Sequence, residues 1–229
     1  MKKILLILLL SIPSLTMAQE LFTGIGKLKI DIDTIELIKV IEGYGLNRKP
    51  INKFMDSYYM NKAHYGRVVY NEKEYLSGAS SVPEVAVYFI KEMEISSIPI
   101  KNIYLKFYNN KLYSFKSDYS TELTNAMELK YTEFKRSILR DTTQCLAKNT
   151  GNRYDLIGSK FYTKWENGNI SAESMAGDYY DDHCQKKYIS WFTYGKRDVV
   201  DVISGKEEEI RKIRKIERER ALSDKLKDF

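Results

Sequence analysis

Histidine and cysteine are scarce: the 229 residues hold two of each. A Ser-His-Asp hydrolase needs His64 or His183 beside a nucleophile and an acid. Structural zinc sites pair their ligands at spacings such as C-x₂-C or H-x₃-H, and neither spacing occurs. A phosphate-binding loop needs G-x-x-x-x-G-K-[ST] after a strand. Gly24-Ile25-Gly26-Lys27 has neither the spacing nor the strand. No apolar run approaches the roughly 20 residues of a membrane span. There is no low-complexity tract, no short-period repeat and no Pro/Gly-rich linker.

The N-terminus carries the clearest positive signal. Lys2 and Lys3 precede an apolar stretch from Ile4 to Ile12, and Thr16 and Ala18 stand at the small-residue positions of a cleavage site. A basic start, a short apolar core and small residues before the cut are the pattern of a secretory signal. Residues 1–18 are therefore expected to be a signal peptide, and Gln19 the first mature residue. No Cys follows the apolar core to take a lipid. The expected destination is the periplasm or the cell exterior.

Export gives the cysteines a meaning. In an oxidising compartment an even count implies pairing. A Cys145–Cys184 bridge would close a loop of about 40 residues, for which chain entropy estimates roughly 4 kcal/mol. Loss of Lys2 and Lys3 takes the net charge from +6 to +4. The only dense Lys/Arg run, Arg211 to Arg220, also holds Glu217 and Glu219. Nucleic-acid binders concentrate basic charge on one face, so this mixture reads as a solvated helix.

Apolar and aromatic contents of 43% and 13% suffice for a core. Ile25 to Ile32 reads as a strand. Asp33 caps a helix carrying Ile35, Ile38 and Ile41 on one side, which Gly43 and Gly45 stop. Pro50 suits the first turn of a second helix with Ile51, Phe54, Met55 and Tyr58 as its stripe. Strands are expected over 67–70 and 84–95. A hairpin follows over 103–116, turning at Asn109-Asn110, with Phe107 facing Leu112 and with Tyr104, Tyr113 and Phe115 on the other face. Apolar residues on both faces imply cover on both sides. Ser120 caps a helix whose stripe runs through Leu123, Met127, Tyr131, Phe134 and Ile138. Residues 139–155 read as polar and irregular. A second hairpin turns at Asn167-Gly168, placing Trp165 opposite Ile170. A loop over 176–186 and a strand over 188–194 follow. From Glu207 to Phe229 the chain is helical and charged, with a narrow stripe of Ile210, Ile213, Leu222, Leu226 and Phe229. The fold class is α+β: a mostly antiparallel sheet, helices near the N-terminus, one helix between two hairpins, and a long charged C-terminal helix. Residues 19–205 are expected to form one domain, with 206–229 as the terminal helix.

The segment Ile103-Tyr-Leu-Lys-Phe-Tyr-Asn-Asn-Lys-Leu-Tyr113, the helix ending Leu129-Lys130-Tyr131 and Trp165 before a turn resemble a pattern of small exported bacterial α+β proteins. Thr132 stands where that pattern has Gly. The resemblance spans residues 103–194. It implies an exported α+β module and carries no catalytic residue or cofactor across.

Asp178, Asp181, Asp182, His183 and Cys184 are the most site-like cluster, since Asp, His and Cys all bind metals. The plain alternative is a polar loop holding one disulfide cysteine. His64 is expected at a helix C-terminus, where it answers the dipole. Tyr and Trp line sugar- or peptide-binding faces but more often fill sheet cores. The leading expectation is an exported non-enzymatic binding or interaction protein without a cofactor, its partner a protein or a glycan. The alternatives are a secreted hydrolase or metal-dependent enzyme centred on residues 178–184, and an adaptor docking through the C-terminal helix.

Overall fold

The computed structural model describes residues 21–52, 54–70, 79–147 and 149–226. The signal-peptide reading falls outside them, as do Phe229 and the side chains of Phe54, Met55 and Leu226.

A small hairpin of β1 (Gly24–Ile25) and β2 (Leu28–Lys29) precedes helix α1 (Thr34–Gly43). Asp33 caps α1 as expected, its Oδ1 accepting from the Ile35 amide at 2.8 Å. The buried side of α1 is not the expected one. Leu37 and Ile41 are fully buried, while Ile35 is 68% exposed. At 3.6 residues per turn Ile35 lies roughly 160° around the helix from Leu37, so both cannot face the core.

The second helix is short. Residues 47–51 run parallel to β4 (His64–Val68) instead of coiling: β3 (Asn47–Arg48) pairs with it and Ile51 bridges Val68. The Asn47 and Lys49 amides donate to the Ala63 and Tyr65 carbonyls at 2.8 Å each, satisfying groups that a helix would have used. Helix α2 is only Phe54–Tyr58, and Tyr58 is exposed. His64 therefore opens a strand and does not end a helix.

Next come β5 (Val85–Ile95), β6 (Ile98–Tyr108) and β7 (Lys111–Ser117). Asn109 and Asn110 both turn left-handed, at φ 49° and 64°, as a type I′ turn requires. Phe107 faces Leu112, as expected, and Leu105 faces Phe115. Two residues separate the first pair from the second on β6 and three on β7. This bulge at Tyr113 brings Phe115 back to the Leu105 face, correcting the expected alternation.

Helix α3 (Thr121–Lys130) is capped by Ser120, whose hydroxyl accepts from the Leu123 amide at 3.1 Å. It stops at Lys130, and Phe134 begins β8 (Phe134–Leu146), which pairs along its whole length with β9 (Arg153–Asn167). Ile138 is thus an exposed strand residue, and the stretch that reads as irregular is a long hairpin. β8 is an edge strand with little cover, so it lacks the alternation that marks a half-buried strand. β10 (Ile170–Tyr180) returns through Gly168-Asn169, one residue later than expected. Gly168 at φ 54° takes the first turn position, and Trp165 faces Ala172, not Ile170. β11 (Lys186–Lys196) passes directly into α4 (Arg197–Leu226). That helix starts well before Glu207, because Val199, Val200 and Ile203 pack on the sheet ahead of the charged run.

Among the described residues, the large sheet has nine strands in the order β3-β4-β5-β6-β7-β11-β10-β9-β8, and of its strand pairs only β3–β4 is parallel. α1 and α3 cover one face through Leu37, Ile41, Leu123 and Met127, over Leu105, Phe107, Phe115, Trp165 and Phe192. The start of α4 covers part of the other, over Val87, Phe89 and Tyr113. The α+β class is as expected, with cover on both faces.

Cys145 and Cys184 form a disulfide with Cα atoms 6.0 Å apart. It joins β8 to the β10–β11 turn across the intervening β9. Two glycines permit that approach. A Cβ at Gly158 would lie 2.6 Å from the Asp178 carbonyl oxygen, and one at Gly177 would lie 2.2 Å from that of Ser159. Gly158→Ala should lower stability by about 1–3 kcal/mol through overpacking. Gly205→Ala, in the interior of α4 with open space around it, should raise stability by about 0.5–1 kcal/mol. Reducing the disulfide should cost about 2–4 kcal/mol. Urea midpoints of the variants and of the reduced protein check all three.

Candidate functional site

On the sheet face that carries the start of α4, strands β5, β6, β7 and β11 are open beside α2. A pocket of about 760 Å³ lies there. β5 contributes Phe89 and Lys91, β6 Asn102, Tyr104 and Lys106, β7 Lys116, and β11 Ile189 and Trp191. Tyr58 of α2 and Asp118 beyond β7 complete the rim. Strand parity explains the set: residues two apart share a face. Tyr104 and Lys106 are such a pair on β6, and Ile189 and Trp191 on β11.

Two irregularities frame this pocket. Asn102 sits within β6 at φ 51°, left-handed, and the ladder to β5 skips it between Ile90–Ile103 and Glu92–Lys101. Its amide donates to Asp118 Oδ2 at 2.7 Å. Left-handed non-glycine residues are costly and concentrate at functional sites, and asparagine tolerates the conformation best. The other irregularity is the bulge at Tyr113, beside Lys106.

The pocket is cationic. Lys91, Lys106 and Lys116 face one carboxylate, Asp118. The Lys91 ammonium lies 5.9 Å from the centre of the Tyr58 ring. Burial pulls the Lys106 amine below its ordinary range, with Glu207 opposing that shift and Lys116 reinforcing it. Several lysines elsewhere on the sheet have carboxylate partners, as in Lys160–Asp141, Lys186–Asp178 and Lys187–Asp181. Among the described residues, Lys106 and Lys116 have neither a hydrogen bond nor an ion pair.

The cluster singled out in sequence is a turn. Asp181 Oδ1 accepts from the amides of His183 and Gln185 at 3.0 and 2.9 Å, and Oδ2 lies 3.4 Å from Lys187 Nζ. The Gln185 amide leads in holding its carboxyl below the usual range. Asp178 pairs with Lys186 at 3.4 Å. Asp182 and His183 point to solvent, and Cys184 is in the disulfide. Among the described residues, no group of three or more His, Cys, Asp or Glu could hold a metal ion. His64 has a buried Nδ1 with no hydrogen bond. Tyr65, next in β4, donates to Glu42 at 2.9 Å, and burial with that bond pushes its phenol up to about 12.

Sequence reasoning gave most aromatics to the core, and Trp165, Tyr194, Phe115 and Phe192 are there. It missed the pocket lysines. Their signal is that Lys106 alternates with Tyr104, but grouping them with Lys91, Lys116 and Trp191 needs the strand order. A second basic surface lies on α4, where Arg211, Arg214, Lys215 and Arg218 recur at i, i+3, i+4 and i+7. Arg214 stacks over Tyr70 at 4.8 Å. Among the described residues no helix is long and apolar enough to cross a membrane. No family model, curated protein or solved structure matches the chain.

An amine with a lowered folded pKa is protonated more in the unfolded chain, so stability rises with pH from the folded pKa to the unfolded value near 10.5. Lys106→Met should remove this rise. The stability difference between Lys106→Met and the wild type should fall as pH increases from 8 to 10.5, as measured by urea midpoints.

Proposed function

We propose that this chain is an exported binding protein and that its ligand occupies the pocket on the open sheet face beside α2. The observation that carries this reading is the pocket itself: concave, aromatic on several sides, and lined by the Lys106 and Lys116 side chains, which make no ion pair among the described residues. Its volume of about 760 Å³ falls in the range of small-ligand sites, roughly 300–1,000 Å³. The residue 1–18 pattern and the disulfide support action outside the cytosol. The turn over 178–184 supports binding over hydrolysis, since Cys184 is oxidised and Asp181 is committed to the backbone. A glycan or a short peptide suits the aromatic walls.

A second reading, a partner-docking adaptor, draws on α4 alone. Beyond Ile210 the helix leaves the core, and Ile213, Ile216 and Leu222 are about half exposed. A chain truncated after Arg211 with unchanged oligomeric state and unchanged partners would remove this reading.

Trp191 lines the pocket and Trp165 lies in the opposite core, so tryptophan fluorescence separates the two. Panels of soluble oligosaccharides and peptides should contain ligands that change the emission saturably, and Trp191→Phe should abolish the change. A full panel that alters neither the emission nor the melting temperature would reject the pocket as a ligand site.

A further inference from the structure

We propose that the pocket recognises an acidic saccharide: a hydroxyl-bearing ring with one sulfate, phosphate or carboxylate group, the anion held by Lys106 and Lys116. This rests on the reading of the pocket as a ligand site and adds the chemistry of the ligand.

Three features carry it. The first is unspent positive charge. Lys106 and Lys116 are adjacent on β6 and β7, one step apart diagonally across the Lys106–Ser114 and Tyr104–Lys116 pairs. Like charges this close destabilise one another unless an anion sits between them. Burial of Lys106 adds to that cost, because a desolvated ammonium without a partner is expensive. The groups facing it are Glu207 on α4, Lys116 on β7 and the aromatics of the pocket; the Glu207 carboxylate accepts from the Ser80 hydroxyl at 2.5 Å, acts on Lys106 at a distance and, among the described residues, forms no ion pair with it. A ligand anion would supply the missing counter-charge, through charge-assisted bonds about twice as strong as neutral ones.

The second feature is Asp118. A purely polyanionic ligand would be repelled by its carboxylate. Asp118 is held by Asn102 through Oδ2, which leaves Oδ1 to accept from a ligand hydroxyl. A carboxylate–amide pair beside two ammonium groups fits a ligand with both hydroxyl donors and an anion. The third is the aromatic wall. Trp191 and Tyr104 line the pocket, and aromatic rings of this kind stack on the C–H side of a sugar ring.

Calorimetry and Trp191 fluorescence on the full mature protein test this, with glucuronic acid, glucose 6-sulfate and glucose 6-phosphate as acidic probes. Glucose, inorganic phosphate and adenosine monophosphate are the comparisons. At least one acidic sugar should bind at least tenfold more tightly than glucose and than inorganic phosphate. Its affinity should fall at least fivefold between 50 and 500 mM NaCl. Lys116→Gln and Lys106→Met, each checked for an unchanged circular dichroism spectrum, should weaken it at least tenfold, a larger loss than for any glucose binding. Glucose binding as tightly as its acidic forms would overturn the anion assignment and leave the pocket as a ligand site. Adenosine monophosphate binding tighter than every acidic sugar would overturn the saccharide class. Absence of any Trp191 response to all six probes would overturn the assignment, and the wider oligosaccharide and peptide panels then decide separately whether the pocket binds anything.

Discussion

Four residue pairs join the two halves of the sheet. Ser114, Phe115, Lys116 and Ser117 of β7 meet Gly195, Tyr194, Thr193 and Phe192 of β11. Every other junction among the long strands is a hairpin between sequence neighbours, so this seam alone brings the β5–β7 and β8–β11 blocks into one sheet. It is reinforced by side chains. Phe115 stacks on Tyr194 with ring centres 4.7 Å apart, and the Thr193 hydroxyl donates to the Phe115 carbonyl at 2.6 Å. The Tyr194 hydroxyl reaches the Leu28 carbonyl and ties the N-terminal hairpin to the same point. Burial drives the Tyr194 phenol far above its ordinary range, so this donor keeps its proton. Core and pocket both depend on the seam: it places Phe115, Phe192 and Tyr194 under α3, and on the reverse face it brings Lys116 to Trp191.

The parts of this architecture that sequence made legible are those fixed by a few adjacent residues. Asp33 and Ser120 cap helices because each side chain reaches an amide two or three residues on. Asn109-Asn110 turns the chain because both accept a left-handed backbone. The Cys145–Cys184 pairing needed only parity and compartment. What was hidden depends on distant neighbours. Pro50 and Ile51 read as a helix start, but Ile51 bridges Val68 of β4. β8 has no alternation because almost nothing covers it. The bulge that returns Phe115 to the core is set by β6, and Trp165 faces Ala172 because the turn took Gly168-Asn169. Periodicity describes a residue's own element and says little of the element opposite.

The same division explains the candidate site. The cluster at residues 178–184 was conspicuous because its residues are consecutive, and consecutive polar residues more often build a turn. The pocket draws on five elements, and its lysines are each ordinary in local sequence. What distinguishes them is the absence of the carboxylate that several sheet lysines here have across the strand or one turn away. Burial of the Lys106 amine disfavours its charged form, so keeping it protonated costs stability.

The seam also sets a schedule. Its pairs lie far apart in the chain, 75 residues in the case of Ser117 and Phe192, while the strands on either side zip up between neighbours. As the chain is synthesised from its N-terminus, β5, β6 and β7 can complete their meander while β11 is still unmade. During that interval β7 is an open edge, with Phe115 uncovered and its backbone groups available to any passing strand. The fold thus passes through a stage in which its future centre is its most adhesive border, and closing that border is the slow event that long-range pairing imposes. The disulfide comes from the later half alone, so it can stiffen that half before the two meet without shortening the wait.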